Sequence, residues 1–483
     1  MIKNNTDILN ETNGKRVAVM GFGVSNRPLV KMLADRKKCA SIAVYDKKTC
    51  EALGEEAIAL RENGVKFIEF VEGSCDVCGD VIFRSPGFRP DRSEFANALG
   101  NGAMLTSEME MFLKYTPALT FAITGSDGKT TTTTLTGKFL SCAKNTYVGG
   151  NIGTPLLNVC EKMTSSDAAV LELSSFQLMK MPYAPDFSAI TNISPNHMDW
   201  HTSEAEYAEA KYNIVGENTK RLVVNAECKQ TFDFGQKILL ETEKEVFFFS
   251  SKRNSYAEVI GNKDVRAKLF CVCDGVICVN DGDGVEKILD VDSIILPGMH
   301  NVENYMTAIA LTYGIVDKNI YKSIAESFGG VEHRLELVRE YKGVKYYNSS
   351  IDSSPTRTAA ALSALAGKDI VVICGGYDKK LDYAPLADAL LKSVRAVVLT
   401  GATAPKIKQA LLEAPAYSSS SITMVDAETF EDAVELASRL GREGGCVLLS
   451  PASASFDRFN NFMERGCYFK ELINKLYRNF TIY

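Results

Sequence analysis

One stretch limits what this chain can become. Residues 119–123 form a largely apolar run of strand length, and Thr124-Gly-Ser-Asp-Gly-Lys129-Thr130 follows at once, with four more threonines before Leu135. An apolar run, a glycine-punctuated loop and an opening helix read as strand, turn and helix. Loop N–H groups and the positive helix end then converge on an anion. Lys129 adds a point charge, and the Thr130 hydroxyl offers a ligand for Mg²⁺. The common phosphate-loop spacing needs a glycine six residues before the lysine, where Ile123 stands, so this is a shorter variant. Gly125, Ser126, Asp127, Gly128, Lys129, Thr130 and Thr131 are the candidate phosphate contacts. The competing reading is a tight strand-to-helix turn that touches no ligand.

At 483 residues the chain is long enough for about three domains. We expect boundaries at 1–106, 107–330 and 331–483. A net charge of −6 gives no reason to expect nucleic acid or an anionic membrane surface as partner. Residues 1–13 are polar and lack the charged-then-apolar pattern of a secretion signal. No apolar run approaches the roughly 20 residues of a membrane span. The 13 cysteines are scattered and odd in number. Cys75-Asp-Val-Cys78 and Cys271-Val-Cys273 have metal-like or redox-like spacing, but no histidine or matched second pair lies nearby. They read as buried small hydrophobes, and reduced thiols fit a cytosolic protein.

Along the chain, residues 15–20 form a strand that runs into Gly21-Phe-Gly-Val24-Ser25-Asn26, and a second strand, 41–45, ends at Asp46. This is the outline of a nucleotide-binding βαβ unit, with Asn26 where a third glycine is usual. A turn that only packs helix on strand is the alternative. Residues 80–87 read as a short strand emptying into Ser85-Pro-Gly87, and 106–114 as a helix. Residues 147–153 are dense in glycine. Residues 167–177 read as a buried strand carrying Glu172, a costly place for a carboxylate without a partner or metal. A strand at 186–192 leads to His197, and 203–215 read as an amphipathic helix that places Lys211 among apolar neighbours. By itself Lys211 reads as a solvated helix lysine. A strand at 221–225 is expected to close the parallel pattern, and 245–295 to form a meander of hairpins. Beyond Gly329-Gly330, alternating strands and helices place polar loops at 348–355, 375–380 and 451–466, as in a further α/β domain.

These blocks occur together in an order that resembles the Mur ligase family: Thr-Gly-Ser-Asp-Gly-Lys-Thr-Thr, Gly-Asn-Ile-Gly, Glu-Leu-Ser-Ser-Phe-Gln-Leu, Asn-His-Met-Asp, Gly-Met-His-Asn and His-Arg-Leu-Glu. The resemblance covers nearly the whole chain. It implies an α/β protein of three domains: a Rossmann-like N-terminal domain for a UDP-sugar, a central P-loop ATPase-like domain with a small β-meander, and a Rossmann-like C-terminal domain. The tail Ser-Pro-Ala-Ser-Ala-Ser-Phe-Asp-x-Phe with Phe-x-x-Arg-Gly is similar to the member that joins D-glutamate to UDP-N-acetylmuramoyl-L-alanine.

That likeness implies an ATP-dependent, ADP-forming amide-bond ligase of peptidoglycan precursor synthesis, working through an acyl phosphate with two Mg²⁺ sites, as a cytoplasmic monomer. It implies that Lys129 holds ATP phosphates and that Thr130 and Glu172 hold one Mg²⁺. His197 and a carbamylated Lys211 would serve the second Mg²⁺ and the reacting carboxylate. Asn301, Asn304 and Arg334 match nucleotide contacts. Val24, Ser25, Asp46, Lys47, Ser85, Gly87, Asn151 and Ser174 match contacts to the UDP-substrate. Lys379, Ser455, Phe456 and Phe462 match contacts to D-glutamate. Three positions depart from the pattern: Ser349 stands where an aspartate is usual, Ser453 where a cysteine is usual, and Tyr377 where an acid is common. The rival readings are a family ligase for another amino acid, an NAD-dependent dehydrogenase built on Gly21, Gly23 and Asp46, and a nucleotide-binding switch without catalysis.

Overall fold

The computed structural model describes residues 10–73 and 76–476. Residues 1–9 of the polar start lie outside them, and so does Cys75 of the Cys75–Cys78 pair. The described strands sort into three parallel-rich sheets flanked by helices.

The first sheet contains β1 (Arg16–Met20), β2 (Ser41–Asp46), β3 (Lys66–Glu69), β4 (Val81–Arg84) and β5 (Met104–Thr106), in the order β3-β2-β1-β4-β5, all parallel. β1 and β4 are buried along nearly their whole length, as parallel strands covered on both faces must be. Strand order reverses between β1 and β4, so the loops after them open on one crevice at the carboxyl edge. Asn26 replaces the third glycine because its side chain closes the turn: Nδ2 donates to the Met20 and Gly21 carbonyls, each at 3.0 Å. The helix expected from residue 106 starts later. Thr106 ends β5, and Ser107 caps the helix Glu108–Tyr115 by accepting the Glu110 N–H at 3.2 Å.

The second sheet holds β6 (Leu119–Thr124), β7 (Thr146–Gly150), β8 (Ala168–Glu172), β9 (Phe187–Ile190), β10 (Arg221–Asn225), β11 (Glu245–Ser250), β12 (Ala267–Cys273), β13 (Val276–Asn280) and β14 (Val285–Asp290). Its order is β14-β13-β12-β11-β10-β9-β6-β8-β7. The parallel pattern does not close at β10 but continues through β11 to β12. The Phe247-Phe-Phe segment is buried on both faces, which suits a central parallel strand rather than a hairpin. The meander is therefore confined to β12, β13 and β14, and it extends the same sheet. The helix Lys129–Ser141 leaves β6 and packs on the helix Met299–Thr312, where the Phe139 ring meets Tyr305 at 6.2 Å. These two sheets belong to one compact unit, residues up to 294 together with Met299–Glu326.

Residues 295–298 and those from 327 onward form a second compact unit. Its sheet joins β15 (Glu336–Tyr341), β16 (Val344–Asn348), β17 (Ile370–Cys374), β18 (Ala396–Leu399), β19 (Thr423–Asp426) and β20 (Cys446–Leu449) in the order β15-β16-β20-β17-β18-β19. β15 and β16 are an antiparallel hairpin, and the rest run parallel. Leu362, Leu386, Leu390 and Leu411 cover one face, and Phe430, Val434, Phe469 and Ile473 the other. The helix Ala404–Glu413 and strand β19 add a layer of alternation that the sequence reading passed over. No described helix is long and apolar enough to cross a membrane.

Candidate functional site

The ends of β6, β7, β8 and β9 lie side by side, because Ile123 pairs with Glu172, Gly150 with Glu172, and Thr124 with Ile190. The phosphate-type loop, residues 125–128, emerges in their midst. It is held from one side by the segment after β9. The Ser126 N–H donates to the Asn192 carbonyl at 2.9 Å, the Asp127 N–H to Asn192 Oδ1 at 3.0 Å, and Thr191 Oγ1 to the Asp127 carbonyl at 2.5 Å. Gly125 and Gly128 have φ of 148° and 79°, and a Cβ at either would collide with Thr191 Oγ1 or Asn304 Oδ1. Both the backbone conformation and the space demand glycine there. Gly128 precedes the helix Lys129–Ser141 without a side-chain cap, so side chains leave the first helical N–H groups uncovered. Thr130 and Thr131 stand in that first turn. Asn304 accepts from Thr132 Oγ1 at 3.2 Å and donates to Asn301 at 3.2 Å, which brings both predicted asparagines to this end of the loop.

Lys129 Nζ turns back onto the loop, donating to the Gly125 and Ser126 carbonyls at 2.9 Å each. Lys211 arrives from the helix Glu204–Tyr212 and donates to the same Gly125 carbonyl at 2.8 Å. The surface reading of Lys211 is thus corrected: the residue is 1% exposed. The helix is amphipathic with its inward face on the loop, so the long stem crosses apolar ground and delivers the amine to the site. Burial and the neighbouring Lys129 charge bring its pKa down to about 7, against a smaller opposite pull from Asp127. Its ammonium lies 4.4 Å from the Tyr207 ring centroid, and the Tyr207 hydroxyl bonds Ser126 Oγ at 2.9 Å. No sequence signal marked Tyr207, which supports the loop through its hydroxyl and faces Lys211 with its ring.

Glu172 is 2% exposed at the end of β8. Oε1 accepts from Asn151 Nδ2 at 2.9 Å, while Oε2 has no hydrogen-bond partner among the described residues. A buried carboxylate oxygen left without a donor fits a hard cation ligand such as Mg²⁺. The Thr130 hydroxyl is of the same chemical kind. An unmodified Lys211 does not fit a cation site, since two positive groups repel. Ser174 is committed locally: it caps the helix Ser175–Leu178 in a capping box with Gln177. His197 is exposed with left-handed backbone, φ 57°, and its ring lies 4.9 Å from that of Phe176. Among the described residues it makes no side-chain hydrogen bond to the loop.

Of the residues matched to the UDP-substrate, Asn151 and Ser174 follow β7 and β8 of the second sheet, and the other six gather at the carboxyl edge of the first. Val24 and Ser25 follow β1, Asp46 and Lys47 end β2, and Ser85 and Gly87 follow β4. Val24 is 76% exposed, unusual for an apolar side chain. Asp46 accepts the Phe22 N–H at 2.7 Å and the Lys48 N–H at 3.0 Å, which shapes the glycine turn itself.

In the second unit, the loops after β16, β17 and β20 are laced together. Tyr377 N–H donates to the Ala454 carbonyl at 2.9 Å, and Ser349 N–H to Leu449 at 2.8 Å. Lys379 Nζ lies 5.9 Å from the Phe456 ring centroid, and Tyr377 meets that ring edge-on at 5.9 Å. Ser455 is buried beside them, and Phe462 opens the final helix, Phe462–Leu476. The buried Arg465, missed in the sequence reading, binds the Ser453, Ala454 and Ser350 carbonyls at 3.1, 3.1 and 2.8 Å. Its signal was present as the arginine of the tail motif. Arg334 lines a separate pocket of about 240 Å³ with Ser349, Asp352 and Arg357. Ser453 is no mere filler: its hydroxyl meets Tyr383 OH and Thr403 Oγ1 at 2.8 Å each.

Metal-type groupings elsewhere do not hold up. Glu332, His333 and Cys467 converge, but Asn348 donates to His333 Nδ1 at 3.0 Å, which leaves the proton on Nε2, a donor rather than a ligand. Cys271 and Cys278 are buried thiols whose pKa burial raises, but Cys273 is half-buried and Cys78 exposed, so the reading of these cysteines as buried packing residues is corrected for those two.

Comparison with known proteins agrees with this geometry. The Mur ligase middle domain matches residues 123–312, and the Mur ligase glutamate ligase domain matches residues 333–453. The UDP-N-acetylmuramoylalanine--D-glutamate ligase of Ruminiclostridium cellulolyticum is 44% identical over 473 residues, covering 96% of this chain and 98% of that protein. The Clostridium beijerinckii protein of the same name is 45% identical over 470 residues, covering 96% and 97%. Among solved structures, UDP-N-acetylmuramate-alanine ligase MurC of Thermotoga maritima has a TM-score of 0.53 at 17% identity, over 96% of this chain and 99% of that one. MurF of Acinetobacter baumannii has a TM-score of 0.57 at 15% identity, over 97% and 98%.

Proposed function

The chain belongs to the Mur ligase family, and on that premise we propose that it joins D-glutamate to UDP-N-acetylmuramoyl-L-alanine at the cost of ATP, in peptidoglycan precursor synthesis. The carrying observation is the single Gly125 carbonyl that gathers Lys129 and the buried Lys211 beside an uncapped helix start. The substrate carboxylate attacks the γ-phosphorus of ATP, giving an acyl phosphate and ADP. The D-glutamate amine then attacks the acyl carbon, the amide bond forms, and phosphate leaves. Negative charge grows in both steps, so positioned cations and N–H donors are what the site must supply.

In this reading the loop N–H groups and Lys129 hold the ATP phosphates, with Asn301 and Asn304 at the far end of the loop. Glu172 and the Thr130 hydroxyl would hold Mg²⁺, which when bound would offset charge on the phosphate oxygens. Near neutral pH a useful share of Lys211 is the free amine, since its pKa lies at about 7. That amine can add to CO₂, forming an N–C bond and releasing a proton, and the resulting carbamate is an anion suited to a second Mg²⁺ with His197. Val24, Ser25, Asp46, Lys47, Ser85 and Gly87 are proposed to take the UDP portion, and Asn151 and Ser174 the muramoyl-alanine end. Lys379, Ser455, Phe456 and Phe462 are proposed to take D-glutamate, with Lys379 facing a carboxylate. A reaction consuming ATP and a nucleotide sugar is proposed for the cytoplasm.

The deciding experiment is phosphate release with UDP-N-acetylmuramoyl-L-alanine against a panel of amino acids in both chiral forms. D-glutamate should stand alone. Release with another amino acid instead would keep the chemistry and overturn the substrate.

A further inference from the structure

The Ser85–Gly87 turn is flanked by two arginines, and both reach across to the second sheet. Arg84 is 2% exposed; it donates to the Phe176 carbonyl at 3.2 Å and the Met179 carbonyl at 3.1 Å, with Glu110 at 3.5 Å. Those carbonyls follow β8, just beyond Glu172. Arg89 grips the segment after β9. Nη1 donates to the Trp200 carbonyl at 2.9 Å and to Glu206 Oε2 at 3.0 Å, and Nη2 to Glu206 Oε1 at 2.8 Å. Its guanidinium lies 5.1 Å from the Trp200 ring centroid, and the Trp200 indole N–H donates to the Gly87 carbonyl at 3.2 Å. The Trp200 ring also lies 4.4 Å from that of Phe176, tilted by 46°, and His197 meets the same Phe176 ring edge-on at 4.9 Å.

We propose that Arg89 is a positioning residue: by its fork on Glu206 and Trp200 it fixes the turn at Ser85 and Gly87 against the segment that carries His197. The proposal rests on the assignment of that turn to the UDP-substrate. The fork is bidentate, which sets orientation as well as distance, and a lysine could not reproduce it. Arg89 holds the Glu206 carboxyl down to about 2, so the pair stays ionised throughout the working range. Arg84 anchors the same turn to the other flank of the site, so the sugar nucleotide and the ATP loop are held at one spacing. A small error in such spacing is expensive in rate, because reaction needs the two reactants aligned.

Trp200 is the chain's one tryptophan, so its emission reports this junction without any need for turnover. In wild type, UDP alone should shift that emission, and Arg89→Ala should both red-shift it at rest and remove the response. In phosphate-release kinetics, Arg89→Ala should lower kcat/KM for UDP-N-acetylmuramoyl-L-alanine by about tenfold or more. The KM for ATP should stay within about twofold. Arg89→Lys should recover only part of the loss, and Arg89→Ala with Glu206→Gln should be no worse than Arg89→Ala alone. Wild-type kcat/KM in Arg89→Ala, or equal losses toward both substrates, overturns the positioning role. If the wild type releases no phosphate, the ligase reading fails by itself. The emission arm still decides the junction, and a UDP response unchanged in Arg89→Ala would sink it.

Discussion

Lys129 and Lys211 donate to one and the same carbonyl oxygen, that of Gly125, at 2.9 and 2.8 Å. One comes from the first helical position after the loop, the other from a helix some eighty residues later. Two amines on one acceptor repel each other. Burial and the Lys129 charge bring the Lys211 pKa down to about 7. Near neutral pH a share of Lys211 is therefore the free amine.

Lys129→Ala removes the loop amine proposed to hold the ATP phosphates. Phosphate release should fall by about 10²-fold or more, in line with loss of one preorganised charge-stabilising group. Binding of UDP-N-acetylmuramoyl-L-alanine, followed by calorimetry, should stay within about twofold, because most of its proposed contacts lie on the first sheet and none is Lys129. Unchanged turnover would remove Lys129 from the reaction.

Lys211 predicts a pH dependence whose sign follows from its pKa. Below about 7 it is an ammonium in the folded protein and cannot add to CO₂, so kcat should fall as pH drops through 7. The folded pKa lies under the 10.5 of an ordinary lysine, so between about 7 and 10.5 the folded state binds fewer protons than the unfolded one. Stability should therefore rise with pH across that window, relative to Lys211→Met. Lys211→Ala should lose most activity and regain part of it with millimolar formate or acetate, small carboxylates that stand in for the carbamate. Full activity of Lys211→Ala without any addition excludes the mechanism.

The legible part of the site was the part written locally. The phosphate loop is contiguous, its glycines answer to positive φ and to close neighbours, and it was read down to the residue. Lys211 was not legible from its own surroundings: a lysine on an amphipathic helix looks solvated, and only the tertiary path from that helix to Gly125 buries it. Strand β11 was misjudged for a related reason. Phe247-Phe-Phe is equally at home in a hairpin or a buried parallel strand, and pairing partners, not periodicity, decide. Asn26 looked like a defect in a glycine fingerprint until its side chain proved to tie the turn. The arginines flanking Ser85 and Gly87 carried no motif: apart from Asp91, two residues beyond Arg89, their partners are backbone carbonyls and the distant Glu110 and Glu206.

Ser453 predicts a stability effect in the second unit. Its hydroxyl joins Tyr383 and Thr403, and Thr403 Oγ1 in turn accepts the Gly376 N–H at 3.0 Å. All three residues are buried, so Ser453→Ala strands two hydroxyls. We expect a loss of about 1–2 kcal/mol in urea unfolding. Ser453→Cys, which keeps a weak donor, should lose less. A neutral Ser453→Ala would mean that Tyr383 and Thr403 find each other instead.

Glu108 predicts the opposite sign, a gain. It sits buried between the first two sheets, its Oε1 accepting the Leu157 N–H at 2.9 Å, and burial without a cation raises its pKa from 4.5 to about 7. Between those values the folded state holds a proton that the unfolded chain has released. Stability must then fall as pH rises from 4.5 to 7, and the full penalty stands above 7. Glu108→Gln keeps the acceptor for Leu157 and cannot ionise. Its stability relative to the wild type should rise by about 3 kcal/mol from pH 4.5 to pH 8, since one pKa unit corresponds to about 1.4 kcal/mol and the cost of the unpaired amide is the same at both pH values. Urea unfolding of the two proteins at both pH values gives the comparison. A difference that stays the same at both pH values would show that Glu108 has a cationic or water partner that relieves its burial.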